Sequence, residues 1–220
     1  MMRQNIKTIL RGILVMLMLL PGVNLRAQET ENEFQTRTKV DLSFKPFKKV
    51  KLTITPEFRF EEDFSLDKYL LEGEIEYKTT DLLSIGTSYG LVSNLRDNKD
   101  TEYSGRYAIF CALEKEVGRL EPSLRVMYSN YADDDIDDKN FLRYKAGLKY
   151  DIKDCKITPF VAVQLFQDIS EGELFKTRYA IGANYKLFKK NYIGISYKFD
   201  YYMKEYLNRH IISVGYKIKF

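Results

Sequence analysis

The chain has 220 residues, 45% of them hydrophobic, with 35 Lys+Arg against 31 Asp+Glu, 17 Tyr, 14 Phe, no Trp and two Cys. That content suits one ordered domain and excludes a disulfide-dense miniature or a disordered tail. The formal charge of +4 does not describe a basic protein seeking nucleic acid: Arg3, Lys7, Arg11 and Arg26 supply it, no acid lies among residues 1–27, and the remainder is balanced.

Residues 1–27 join a basic opening, MMRQNIKTILR, to the apolar run GILVMLMLL, a break at Pro21 and Gly22, and a tail ending LRAQ. This is the build of a secretory signal peptide. Cleavage after Ala27 would place Leu25 and Ala27 at the recognition positions and leave Gln28 first. The apolar run is shorter than the roughly 20 residues a transmembrane helix needs, and no later segment approaches that length. No Cys stands at the junction to carry a lipid.

From residue 34 onward the period is two. Phe34, Thr36, Thr38, Val40, Leu42 and Phe44 alternate with Gln35, Arg37, Lys39, Asp41, Ser43 and Lys45. Val50, Leu52, Ile54, Pro56, Phe58 and Phe60 then alternate with Lys51, Thr53, Thr55, Glu57 and Arg59. Such alternation puts an apolar face opposite a charged one on a strand, whereas a helix would scatter both around its circumference. Similar runs at 68–78, 82–92, 102–114, 119–129, 140–150, 156–166, 175–186, 191–202 and 209–220 bring the expected strands to eleven.

Short connections (PFKK, TTD, EVG, DIKDC, LFKK) alternate with longer polar ones at 61–67, 93–101, 130–139, 167–174 and 203–208. That predicts an all-β, up-and-down antiparallel transmembrane barrel of about 10–12 strands, with one turn rim and one loop rim. No helix is available to cover the apolar face, which must point either inward to a soluble core or outward to lipid. The leader, the continuity of the charged face and the alternating terminal strand Tyr216-Lys-Ile218-Lys-Phe220 favour lipid, in a bacterial outer membrane. Eleven is an awkward number, since an even count returns both ends to the same side. A short first segment, a missed strand, or parallel closure between strands one and eleven would each resolve it.

The stretches FSLDKYLLEGEIEYKTTDLLSIGTSY, FLRYKAGLKYDIKDCKITPFVAVQLF, TRYAIGANYKLFKKNYIGISYKF and NRHIISVGYKIKF resemble an uncharacterised exported barrel family of Bacteroidetes, the domain-of-unknown-function family numbered 2490. Matching motifs are Arg143-Tyr144 and Arg178-Tyr179 at strand starts, Pro159-Phe160, and Gly-x-x-Tyr endings at Gly147–Tyr150 and Gly182–Tyr185. The likeness spans about residues 31–220 and departs at Gly90, where the family often has arginine. It implies an outer-membrane barrel and supplies no activity.

If the apolar face meets lipid, the charged face becomes the lumen and the functional surface. Its candidate cations are Arg37, Arg59, Arg125, Arg143, Arg178 and Lys198, and its candidate acids Glu57, Glu72, Glu74 and Glu76; Lys39, Lys145 and Lys149 share the phase. Opposite charges can pair across strands as a wall lining, or sort solutes in a pore, with Ser84, Gly86, Ser88 and Gly90 leaving room beside the acidic row. Asp133, Asp134, Asp135, Asp137 and Asp138 crowd one long loop and offer oxygen ligands for a divalent ion, without the Gly and distant Glu of an EF-hand. His210, the only histidine, is out of phase with Ser196, which argues against a catalytic dyad. Cys111 falls on the apolar face and Cys155 in a short turn, too far apart to bridge.

No cofactor or catalytic residue is called for. The expected partners are outer-membrane lipid, lipopolysaccharide and the outer-membrane insertion machinery. The leading reading is an outer-membrane barrel with passive solute passage or a structural role. Its alternatives are a membrane-embedded lipid- or lipopolysaccharide-modifying enzyme and a soluble exported ligand-binding barrel.

Overall fold

The computed structural model describes residues 31–95, 101–132, 139–204 and 207–220. The expected leader and the acidic run Asp133–Asp138 lie outside the described residues. Eleven strands follow in chain order: β1 (Glu31–Phe47), β2 (Val50–Phe60), β3 (Leu66–Lys78), β4 (Leu83–Asn94), β5 (Glu102–Glu114), β6 (Leu120–Ser129), β7 (Phe141–Tyr150), β8 (Ile157–Asp168), β9 (Leu174–Phe188), β10 (Asn191–Tyr202) and β11 (Leu207–Lys219). The first is longer than its alternation suggests, starting at Glu31 and carrying a bulge between Phe44 and Phe47.

Every consecutive pair is antiparallel, and the sheet closes on itself through β1 and β11. That last pair is parallel, in unbroken register from Glu31 opposite Leu207 to Ser43 opposite Lys219. The parity difficulty is thereby resolved: an odd meander brings its first and last strands side by side in the same direction. Parallel pairing is slightly weaker per residue, and side chains reinforce this seam. Arg209 Nε donates to Glu33 Oε2 at 2.8 Å, Phe34 stacks on His210 with centroids 4.8 Å apart, and Phe44 stacks on Phe220 at 4.5 Å.

The turn rim is built from local chemistry. Between β5 and β6, Val117 and Leu120 exchange backbone hydrogen bonds at 2.7 and 3.1 Å around Gly118, whose φ of +66° suits the first central position of a type II′ turn. At the loop rim, Asp168 Oδ1 accepts from the Ser170 and Glu171 amides at 2.8 and 3.3 Å, and Gly172 takes φ +69° to bring the chain back into β9.

The polarity is inverted relative to a soluble barrel. Ile85, Tyr89, Ile193, Ile195 and Tyr197 are exposed on the outer wall, with Tyr89 at 59% and Ile195 at 57%, and Leu83 shares their face. Arg37, Arg59, Arg143, Lys176, Arg178 and Asp200 are buried inside. A soluble barrel with its apolar phase turned inward is therefore excluded, and the outer surface is consistent with a wall set in lipid.

Candidate functional site

Alternation places every candidate lumen residue inside the barrel, because consecutive strands keep in-phase positions opposite one another. Arg125 faces Lys145, which faces Gln164, which faces Arg178, which faces Asp200. Eleven strands enclose a space between that of an eight-stranded barrel, filled by side chains, and that of a sixteen-stranded porin, which leaves an aqueous channel. The interior accordingly has two parts.

Toward the loop rim it is packed. Arg178 grips Asp200 with two bonds, Nε to Oδ1 and Nη2 to Oδ2, both 2.5 Å, and Lys176 lies 3.4 Å from the same carboxylate. Lys176 also donates to the Tyr202 hydroxyl at 3.2 Å. Phe166, fully buried, lies 4.8 Å from the Arg143 guanidinium and 5.0 Å from Lys176 Nζ, and Tyr131 sits 4.8 and 5.0 Å from Arg106 and Arg143. On β1 and β2, Glu57 bridges two arginines that oppose each other in register, Arg59 at 2.6 Å and Arg37 at 3.9 Å. Phe141, Phe166 and Ala132 make a small apolar core beside this layer, with Phe175 against it. Charges removed from water need this density of partners.

Toward the turn rim the lysines stay partly exposed. Lys51 reaches Glu76 at 2.6 Å while Ser84 donates to the other oxygen of that carboxylate at 2.7 Å, and Lys149 pairs with Glu121. Lys39, Lys149 and Lys51 keep a third or more of their side-chain surface open. Lys145, midway along β7, is exposed although it points inward. A cavity of about 260 Å³ opens at this rim, lined by Glu116, Gly118, Arg119, Glu121, Lys149 and Thr158 among others.

Two rings cover glycines in that half. Phe110 lies over its register partner Gly86, where an added Cβ would fall 2.4 Å from the ring, and Phe160 covers Gly182 at 2.7 Å. The expected room beside the acidic row is thus occupied at Gly86 by Phe110, with Arg125 stacked 4.1 Å from its ring and continuing to Glu74 at 3.3 Å. Gly90 approaches Arg106 and Glu72 no closer than ordinary contact. Lys198 lines the wall between Ala180 and Ile211.

Other singled-out residues lie outside this interior. His210 sits on the outer face in an aromatic group, its Nδ1 2.6 Å from the Tyr197 hydroxyl and its ring 5.1 Å from Phe199. Ser196 faces the lumen opposite Ser213, so no dyad forms. Cys111 and Cys155 are free and exposed. Among the described residues no group of His, Cys, Asp and Glu could hold a metal ion. The lumen aromatics escaped notice in the sequence, although Phe110, Phe160, Phe166 and Tyr202 interrupt polar rows and could have been flagged by phase alone.

The family model described as "Protein of unknown function (DUF2490)" matches residues 34–211. The chain belongs to this family. No curated protein matches it. Among solved structures, this family member resembles one described as "NanC porin structure in rhombohedral crystal form", with a TM-score of 0.50 and 14% identity, over 75% of this chain and 84% of that one. At that identity the likeness is one of fold: a closed β-barrel.

Proposed function

We propose that this family member is an outer-membrane β-barrel that passes small polar solutes through its charged interior, with the loop-side arginine layer as the narrow point. The observation that carries the reading is the exposure of Lys145, an inward-facing residue midway along its strand. Open space at that depth means that the charged lining does not fill the middle of the barrel. The apolar outer wall, together with the leader expected at residues 1–27, supports the outer-membrane location, with lipid and lipopolysaccharide around the wall and the outer-membrane insertion machinery as assembly partner. The wholly structural alternative draws on the buried ion pairs of the loop-side layer.

Conductance of the refolded protein in planar bilayers separates the two. Small, ohmic single-channel steps that grow with salt concentration are expected. A bilayer that stays sealed across ionic strengths, with insertion verified independently, would leave the structural role.

A further inference from the structure

Two cationic groups on one strand lack the partners that the rest of the interior provides. Lys145 makes no ion pair or hydrogen bond with a described residue, and the charges that act on it most strongly, Arg125, Lys39, Arg143 and Arg178, are all cations. Three of these are engaged elsewhere: Arg125 with Glu74 at 3.3 Å, Lys39 with Asp41 at 3.4 Å and Arg178 with Asp200 at 2.5 Å.

Arg143 occupies the same inward row two residues earlier, roughly 7 Å away by strand rise. It is 8% exposed, and its Nη1 is buried without a hydrogen-bond partner. With the Gln164 amide turned so that its oxygen accepts, Nε and Nη2 are satisfied at 3.0 and 3.1 Å, which leaves Nη1 open. Tyr131 and Phe166, with centroids 5.0 and 4.8 Å from the guanidinium, fix its position. Glu72 interacts with Arg143 but also with Arg106, so one carboxylate serves both.

We infer that Arg143 and Lys145 anchor an oxyanion site inside the barrel, taking small solutes that carry a carboxylate, sulfate or phosphate group. A guanidinium edge beside a mobile ammonium gives such a group a directed donor and a point charge together. An anion that reaches two cations without counter-ions in a barrel interior is attracted more strongly than in bulk water. The site lies where the wet half meets the packed layer, so a solute entering from the turn rim meets it before the constriction. It rests on the passage reading for the route by which the anion arrives and leaves; the binding itself does not require passage.

Reversal potentials of the refolded protein across a KCl gradient test the site. Preference for chloride over potassium is expected, reduced at least threefold by Lys145→Gln and reversed by Lys145→Glu, while Lys153→Gln in the exposed β7–β8 turn has no effect. A conducting barrel without anion preference, or one whose preference survives Lys145→Gln, overturns the site and leaves passage standing. If no current flows, passage fails, and calorimetric titration of inorganic pyrophosphate into the detergent-refolded protein decides the site alone. Saturable binding weakened at least tenfold by Lys145→Gln supports it, whereas absent or unaltered binding overturns it. Heat-modified gel mobility confirms that each variant is folded.

Discussion

The two halves of the barrel interior use the same residue types to opposite ends. Near the loop rim, Asp200 and Lys176 are 0% exposed, and both are locked by several partners. Near the turn rim, Lys149, Glu121 and Lys51 form single pairs that water can reach. Charge identity is therefore not what closes a barrel. Closure follows where aromatic rings, Phe166, Tyr131 and Tyr202, fill the gaps between cations and exclude water; in the wet half Phe110 and Phe160 lie over Gly86 and Gly182 instead.

The sharpest test of this contrast removes one acid from each half. Asp200→Ala strands Arg178 and Lys176 in a dry layer, and breaking a buried pair from one side costs about 3–5 kcal/mol. Glu121→Gln leaves Lys149 facing solvent, and an exposed pair is worth about 0–1 kcal/mol. Urea unfolding of the refolded barrel should separate the two variants by several kcal/mol. Equal losses would mean the layers do not differ in solvation.

A smaller effect is expected from the glycines beneath the rings. At Gly86 an added Cβ would fall 2.5 Å from the Ile75 carbonyl oxygen, and at Gly182 the same distance from that of Ile195; both are backbone atoms that cannot swing away. Gly86→Ala or Gly182→Ala should cost about 1–3 kcal/mol, as overpacking does, and lower conductance by tipping a phenylalanine into the wet half. Gly90→Ala, whose nearest neighbours stand at 3.7 Å, should leave both nearly unchanged. Equal behaviour of all three in unfolding and conductance measurements would show that the ring-covered glycines are no more tightly packed than Gly90.

Much of this architecture was legible because alternation is a one-dimensional signal. The register phase that puts Arg37, Glu57, Glu72, Arg143 and Arg178 inside follows from period two once lipid is chosen as the outer solvent. Closure through a parallel seam was one of three possibilities, and the long first strand decides it by matching β11 from Glu31 onward. The division into dry and wet halves was not legible. It depends on how far a side chain reaches across the lumen, as Arg125 does over Phe110 to Glu74, and phase carries no information about reach. Likewise Lys145 stood in the charged row with nothing to mark it out, because lack of a partner is a three-dimensional property.

The smallest expected effect lies above the dry layer, where exposed charges tie three loops together. Glu171 accepts from Lys204 at 2.7 Å and from Lys139 at 3.2 Å, and Lys204 also reaches Glu173 at 2.6 Å. Lys204, then Lys139, hold the Glu171 carboxyl below its ordinary value of 4.5, while Glu171 and Glu173 raise the Lys204 ammonium above its ordinary 10.5. A lowered carboxyl contributes stability above its unfolded value that is lost as pH falls through the folded one. A raised ammonium contributes below its unfolded value and loses it as pH climbs through the folded one. The clasp should therefore hold between about pH 4.5 and 10.5 and loosen on either side, with hydrogen-exchange protection of the Ser170 and Glu171 amides as the readout. Salt at 1 M should loosen it at neutral pH, because exposed pairs are screened, while the buried Arg178–Asp200 pair beneath stays shut. If the loop amides and those of β9 and β10 respond to salt alike, the dry layer is no better shielded than the loops, and the contrast between the two halves fails.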